Sequence, residues 1–286
     1  MATPPQTETF DVTYGTGNGR DLHLDILRPD APLHPLRPAV LWVHGGGWQA
    51  GDRQPNPNHL LAARGFVTAT MSYRLSDEAV FPAQIHDVKA ALRFLRATSE
   101  QWGIDAERIG IWGHSAGGHL AALAALSAGI PALEGDGGHS DESSEVQAAV
   151  PLSPPTDFLV DWFAASEFPP HEEALAAVSD FLDGDPLTDP AVADRARLAS
   201  PARLVRPDAP PMLVVHGSLD DLVPVEQGRI LVEALLDVAD DASLLELPHD
   251  GHGLESVFTD PAGPAMAEII AFFERILGPV PPVDAP

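Results

Sequence analysis

Hydrophobic and polar positions alternate at the start of the chain and then give way to short apolar runs. Residues 9–14 and 20–27 alternate with a period of two, and the glycine-rich stretch 15–19 separates them. This pattern predicts an antiparallel hairpin. Residues 39–43 are apolar without interruption, as expected of a strand that is buried on both faces of a sheet.

Further along, apolar runs take turns with stretches whose apolar positions recur at helical spacing. Strands are predicted at 66–71, 108–112, 146–152, 212–215 and 243–247, and helices at 58–64, 81–95, 116–126, 225–236 and 265–277. Such alternation is typical of the α/β class. We therefore expect a mostly parallel central sheet that carries the N-terminal antiparallel hairpin and has helices on both faces.

Two segments break this alternation. Residues 129–145 are acidic and glycine-rich, which predicts an exposed loop, and residues 154–200 contain prolines, aromatic side chains and one helical stretch at 171–182. An insertion at the carboxyl end of a strand lies over the mouth of an α/β active site. We expect a single domain over residues 1–286 with a small cap at about 154–200, whose aromatic residues either form a pocket or pack only with one another.

The sequence from Gly113 to Gly117 has the form G-x-S-x-G, is followed by Gly118, and lies between a predicted strand and a predicted helix. Small neighbours allow Ser115 a strained backbone that lifts its hydroxyl above the sheet edge, as a nucleophile requires. The alternative is a glycine-rich turn that only tightens the junction. A second glycine stretch, residues 45–47, follows the buried strand 39–43 and is either a source of backbone N–H groups for an oxyanion or a flexible loop.

A serine hydroxyl is a weak nucleophile, so it needs a general base that is oriented by an acid. Asp220 and Asp221 follow one late predicted strand, and His249 and His252 follow the next. The chain order of nucleophile, acid and base, each after a strand, agrees with this chemistry. The residues alone leave open which aspartate and which histidine take part.

The chain has a formal net charge of −26 and a single lysine, Lys89. This charge disfavours nucleic acid and anionic membranes as partners. There is no cysteine, which excludes disulfides and thiolate metal sites. His249 and His252 with Asp250 make only a weak metal motif, so we expect no metal and no cofactor. No signal peptide or membrane span is apparent, and we expect a soluble, cytoplasmic monomer or homodimer.

Seven short motifs together resemble the α/β-hydrolase superfamily, and within it the bacterial feruloyl and acetylxylan esterase-like branch close to the hormone-sensitive-lipase-like esterases. They are HGGGW at 44–48, GDR at 51–53, YRL at 73–75, GHSAGGHLAAL at 113–123, SP at 200–201, HGSLDDLVP at 216–224 and DGHG at 250–253. The resemblance implies a catalytic triad of Ser115, Asp220 and His252.

The same resemblance implies an oxyanion hole that is formed by the backbone N–H groups of Gly46, Gly47 and Ala116. We expect substrate contacts from Trp48, His114, Phe158 and Trp162. The predicted function is that of a serine carboxylesterase acting on small, short-chain acyl esters. The alternatives are an amidase-type hydrolase such as a kynurenine formamidase, and a binding protein without activity.

Overall fold

A computed structural model of the protein describes residues 5–239 and 241–281, and eight strands within these residues form one sheet. The strands are β1 Gln6–Gly17, β2 Arg20–Pro29, β3 Arg37–Val43, β4 Val67–Met71, β5 Ile104–His114, β6 Ala148–Leu152, β7 Met212–Gly217 and β8 Ala242–Leu247. Their spatial order is β1-β2-β4-β3-β5-β6-β7-β8. β2 pairs antiparallel with β1 and β4, and all strands from β4 to β8 in this order run parallel.

Helices cover both faces of the sheet. They are α1 His59–Ala63, α2 Ala83–Ala97, α3 Ser99–Trp102, α4 Ala116–Leu126, α5 Pro131–Glu134, α6 Glu172–Leu182, α7 Pro190–Ala199, α8 Glu226–Leu236, α9 Glu255–Phe258 and α10 Pro264–Leu277, with a 3₁₀ turn at Pro201–Arg203. Successive side chains of β3 point to opposite faces. Leu41 therefore packs with α2, α4 and α8 in one core, whereas Val40 and Trp42 pack with α1, α9 and α10 in the other.

The fold class predicted from the sequence is confirmed, and the differences lie in the short elements. The hairpin is longer than the alternating pattern, with only Asn18 and Gly19 between its strands. The helices α3, α5 and α9 have four residues each and were not predicted, because one turn contains too few positions to establish a helical period.

The segment 129–145 differs from the predicted exposed loop because one side of it is anchored. It contains α5, where Glu134 accepts a hydrogen bond of 2.8 Å from the fully buried Nζ of Lys89 and contacts Arg93 at 3.3 Å. Burial lowers the pKa of Lys89, and its bond to Glu134 opposes this shift. The ion pairs tie the segment to α2.

The insertion between β6 and β7 holds α6, close to the predicted 171–182, and also α7, which was not predicted. Its aromatic side chains pack against the glycine loop and the helix after Ser115. The Trp48 ring stacks on Phe181 at 4.4 Å, and its Nε1 donates to Nδ1 of His119 at 3.2 Å. Nε2 of His119 in turn donates to the carbonyl of Ala199 at 2.8 Å. These contacts join the insertion to α4.

Among the residues that the structure describes, none of the helices combines the length and the apolar character that a bilayer crossing requires.

Candidate active site

Ser115 lies between the end of β5 and the start of α4 in a strained conformation, with φ 56° and ψ −120°. Its N–H donates to the carbonyl of Leu152 at 2.8 Å, which fixes the turn to the neighbouring strand β6. A Cβ atom at Gly117 would lie 2.0 Å from the carbonyl oxygen of Val43, so only glycine allows this close approach. The local sequence therefore produces a sharp strand-to-helix turn with Ser115 at its tip.

His252 and Asp220 complete a hydrogen-bonded chain that ends at this serine. Nε2 of His252 lies 2.9 Å from Oγ of Ser115, and Nδ1 of His252 lies 2.8 Å from Oδ2 of Asp220. A carboxylate only accepts hydrogen bonds, so Nδ1 carries the proton and Nε2 is free to accept the serine hydroxyl. The structure thus brings together Asp220 and His252, whereas Asp221 and His249 are exposed.

The Asp220 carboxylate is buried and surrounded by donors. Oδ1 accepts hydrogen bonds from the backbone N–H groups of Leu222 and Val223 at 3.1 and 2.8 Å, and Nε2 of the buried His216 lies 3.4 Å from Oδ2. Burial by itself raises the pKa of Asp220, but hydrogen bonds with His216 and His252 outweigh it and hold the pKa well below its usual range. The carboxylate is therefore ionised at neutral pH.

His216 has a second contact that fixes its orientation. Its Nε2 also lies 2.8 Å from the carbonyl oxygen of Val223, within the same loop. Sequence reasoning did not assign His216 a role, although its position four residues before Asp220 at the end of a strand was a usable signal.

His114 was expected to contact substrate, but it lies against the loop that carries His252. Its Nε2 donates to the backbone carbonyl of His252 at 2.7 Å, and the two rings are 5.0 Å apart. Burial lowers the pKa of His114 to about 4, so the ring is neutral at physiological pH. Its contacts make it a support for His252.

The glycine loop after β3 approaches the same turn. A Cβ atom at Gly45 would lie 2.8 Å from the carbonyl oxygen of His114 and 3.3 Å from Cβ of Ser115. Within the described residues, the backbone N–H groups of Gly46, Gly47 and Ala116 have no hydrogen-bond acceptor. Ala116 is the first residue of α4, where an N–H lacks an intrahelical partner. Of the three residues, Gly47 also lines the open space beside Ser115.

A cavity of about 180 Å³ opens beside Ser115. Aromatic and small apolar side chains line much of it, namely Trp48, Trp162, Ala174, Ala177, Leu222 and Val223. Phe158 does not line this cavity, and its ring packs against those of Trp48 and Trp162 with centroids 5.9 and 5.8 Å apart. Of the four residues predicted to contact substrate, Trp48 and Trp162 face the cavity.

A larger cavity of about 710 Å³ lies along β8 and α10, and none of Ser115, Asp220 and His252 lines it. His249 and Asp250 are on its wall, but the Asp250 carboxylate bonds to the N–H and hydroxyl of Ser256. In the part of the chain that the structure describes, no three histidine or acidic side chains are grouped as metal ligands. The candidate active site is therefore beside the smaller of these two cavities, the one that Ser115 lines.

The α/β-hydrolase class is defined by a mostly parallel sheet with a strained serine at a strand-to-helix turn. An aspartate and a histidine follow on later strand-end loops, as they do here. Residues 24–235 match the family model described as BD-FAE. The chain belongs to this family of α/β-hydrolase esterases, as the sequence motifs predicted.

Relatives and solved structures agree with this assignment. Esterase LipQ of Mycobacterium tuberculosis is 35% identical over 88% of this chain, which spans 58% of the length of LipQ. A truncated carbohydrate esterase from gut microbiota superposes with a TM-score of 0.80 and 27% identity over 96% of this chain and 97% of its own. Esterase Est2 of Thermogutta terrifontis with butyrate bound gives a TM-score of 0.73 and 25% identity over 93% and 92%. These names favour ester hydrolysis over the formamidase alternative.

Proposed function

We propose that the protein is a serine carboxylesterase that hydrolyses short-chain acyl esters through an acyl-enzyme intermediate. One observation carries the proposal, namely the unbroken hydrogen-bond chain from Asp220 through His252 to Oγ of Ser115 at the mouth of a small apolar cavity. The names of the relatives and of the solved structures support the same activity.

In this mechanism Oγ of Ser115 attacks the acyl carbon of the ester while Nε2 of His252 takes the hydroxyl proton. The ionised Asp220 stabilises the imidazolium that forms. The carbonyl oxygen becomes an oxyanion, and the N–H groups of Gly46, Gly47 and Ala116 are proposed to stabilise it. Fixed backbone donors at this point lower the barrier because they need no reorganisation as the charge develops.

The tetrahedral intermediate then loses the alcohol, to which His252 returns the proton, and leaves an acyl group on Ser115. A water molecule enters, gives a proton to His252 and attacks the acyl carbon. Collapse of the second intermediate releases the carboxylic acid and restores the serine hydroxyl. The same base serves both half-reactions, so its contacts with Ser115 and Asp220 are needed twice in each turnover.

The preference for short acyl groups is supported by the size of the cavity and by its walls. A space of about 180 Å³ bounded by Trp48 and Trp162 leaves little room for a long chain. Each additional CH₂ that found an apolar contact would add about 0.8 kcal/mol, so a chain that projects into water loses this gain. The butyrate-bound state of the similar esterase is consistent with a small acyl group.

The insertion is proposed to act as the cap of this site, because α6 supplies part of the cavity wall. The assignment of residues 1–286 to one domain, the cytoplasmic location and the monomeric or homodimeric state stay predictions.

The test is a pre-steady-state assay with p-nitrophenyl butyrate, together with labelling by a serine-reactive phosphonate. We expect a burst of nitrophenol equal to the enzyme concentration and stoichiometric labelling of Ser115. Ser115→Ala should lower kcat by about 10³-fold to 10⁶-fold while its circular dichroism spectrum is unchanged. Labelling at another residue, or activity that survives in the alanine variant, would refute the proposal.

A further inference from the structure

The cap insertion has a strong local excess of negative charge. Residues 154–200 include ten acidic and two basic side chains. Two of the carboxylates, Glu172 and Glu173, occupy the first turn of α6, and both are exposed. Only one of this adjacent pair, Glu173, lines the cavity beside Ser115.

Glu173 is the sole charged side chain among the described residues that line this cavity. Within the described residues it has no ion pair and no hydrogen bond. The polar side chain of Gln49, which also lines the cavity, donates to a second carboxylate on α6, Asp180, at 2.7 Å. The amide N–H of Gln49 is thus directed toward Asp180.

Arg195 of the insertion and Arg203, which follows it, have partners of their own. Arg195 bonds to the carbonyl of Leu182 and lies 3.5 Å from Asp183. Arg203 forms an ion pair of 2.8 Å with Asp157. A carboxylate that entered the cavity would therefore meet Glu173, and none of the described lining residues carries a positive charge that could neutralise it.

We propose that Glu173 makes the site selective for acyl groups that are neutral or cationic and against acyl groups that carry a carboxylate. This inference rests on the proposed function, since it takes the cavity beside Ser115 as the acyl pocket. An anionic acyl group would lose hydration without gaining a cationic partner and would be repelled by Glu173, whereas a cationic group would be attracted.

The experiment compares three p-nitrophenyl esters that share a leaving group: the butyrate, the 4-(trimethylammonio)butyrate and the hydrogen succinate. The wild-type protein is compared with Glu173→Gln and with the matched control Glu172→Gln, which removes the same charge from the same helical turn. Values of kcat/KM are measured at low and at moderate salt. Background hydrolysis is measured with Ser115→Ala and subtracted, because the succinate carboxylate can attack its own ester.

The measured quantity is kcat/KM for the anionic ester divided by kcat/KM for the cationic ester. We expect Glu173→Gln to raise this ratio by about 3-fold to 10-fold at low salt, which is the size of effect that a nearby charge has at a partly solvated site. The change should shrink as salt screens the interaction. Glu172→Gln should change the ratio by less than about 2-fold.

An unchanged ratio in Glu173→Gln, or an equal change in both variants, would overturn the inference. Both outcomes would leave the proposed function intact as long as the wild-type protein hydrolyses the butyrate. Failure of the wild-type protein to hydrolyse the butyrate would instead contradict the proposed function itself.

Discussion

The loops that carry Ser115, Asp220 and His252 and the insertion that walls the cavity are held in place by different forces. The loops that carry Ser115, Asp220 and His252 are short continuations of parallel strands, and backbone hydrogen bonds join them. Ser115 N–H bonds to Leu152, Ser218 N–H to Leu247 and Leu219 N–H to Asp250 at 2.8 to 2.9 Å. The insertion contributes no strand to the sheet and contacts the glycine loop and α4 largely through aromatic and imidazole side chains.

Because the loops and the insertion are held differently, we expect the loops to determine the rate of the reaction and the insertion to determine which ester is preferred. Backbone bonds to a central sheet hold the backbone of the loops that carry Ser115, Asp220 and His252, whereas the side-chain contacts of the insertion change with each substitution. We therefore expect substitutions in these loops to lower kcat, and substitutions in the insertion to change which esters are preferred.

The largest effect after loss of the serine should come from the buried carboxylate. Asp220→Asn removes the charge that stabilises imidazolium and the acceptor that keeps the proton on Nδ1 of His252. We expect kcat to fall by about 10⁴-fold. The neighbouring Asp221→Asn is the control and should change kcat by less than about 2-fold, because Asp221 is exposed. The reverse ranking in steady-state kinetics with p-nitrophenyl butyrate would transfer the role to Asp221.

A smaller effect should follow from loss of the support beneath His252. In His114→Phe the donor to the carbonyl of His252 is lost, so the imidazole is held less firmly against Ser115. We expect kcat and the rate of phosphonate labelling to fall by about 10-fold to 100-fold with KM nearly unchanged.

His114→Gln can restore a donor and should recover part of the rate, and His249→Phe on the exposed side of the loop is the matched control. If His114→Phe lowered only the melting temperature and left kcat and labelling unchanged, the contact would have no role in positioning His252.

The smallest effect is expected in the insertion. Trp162→Ala opens the wall of the cavity, so a longer acyl chain gains apolar contact there. At about 0.8 kcal/mol per CH₂, one or two additional buried methylenes would raise the octanoate-to-butyrate ratio of kcat/KM by about 4-fold to 15-fold.

The control for this variant is Phe168→Ala, an aromatic residue of the same insertion that does not line the cavity, and it should leave the ratio unchanged. Wild-type hydrolysis of p-nitrophenyl palmitate as fast as that of the butyrate would contradict the small acyl pocket.

Much of the sheet could be predicted from the sequence because each buried strand is a short apolar run next to a glycine or proline. The start of α7 also had a signal that was overlooked, since Asp189 caps the helix through the N–H of Ala191 and Pro190 occupies its first position. The ion pair of Lys89 with Glu134 had no such signal. Its partners are 45 residues apart, and their contact depends on how α5 packs against α2.

For the candidate site, local pattern was enough to identify the strained turn at Ser115, the glycine loop and two candidates each for the acid and the base. A short loop after a strand places its residues at the sheet edge, so sequence alone predicts which loops meet there. The choice of Asp220 and His252 came from family motifs, and the contacts of the structure agree with it.

Tertiary structure alone decided what surrounds these residues. His114, the last residue of β5, bonds to the carbonyl of His252 although the two are 138 positions apart in sequence, because the sheet brings the end of β5 and the loop after β8 together. Phe158 does not line the cavity whereas Trp162, four residues away, does, and Glu173 lines the cavity although its neighbour Glu172 does not. Hydrophobic pattern and propensity act over a few neighbouring residues. The direction of a side chain in an irregular insertion depends on its contacts with the glycine loop and α4, which form only once the sheet has brought them together.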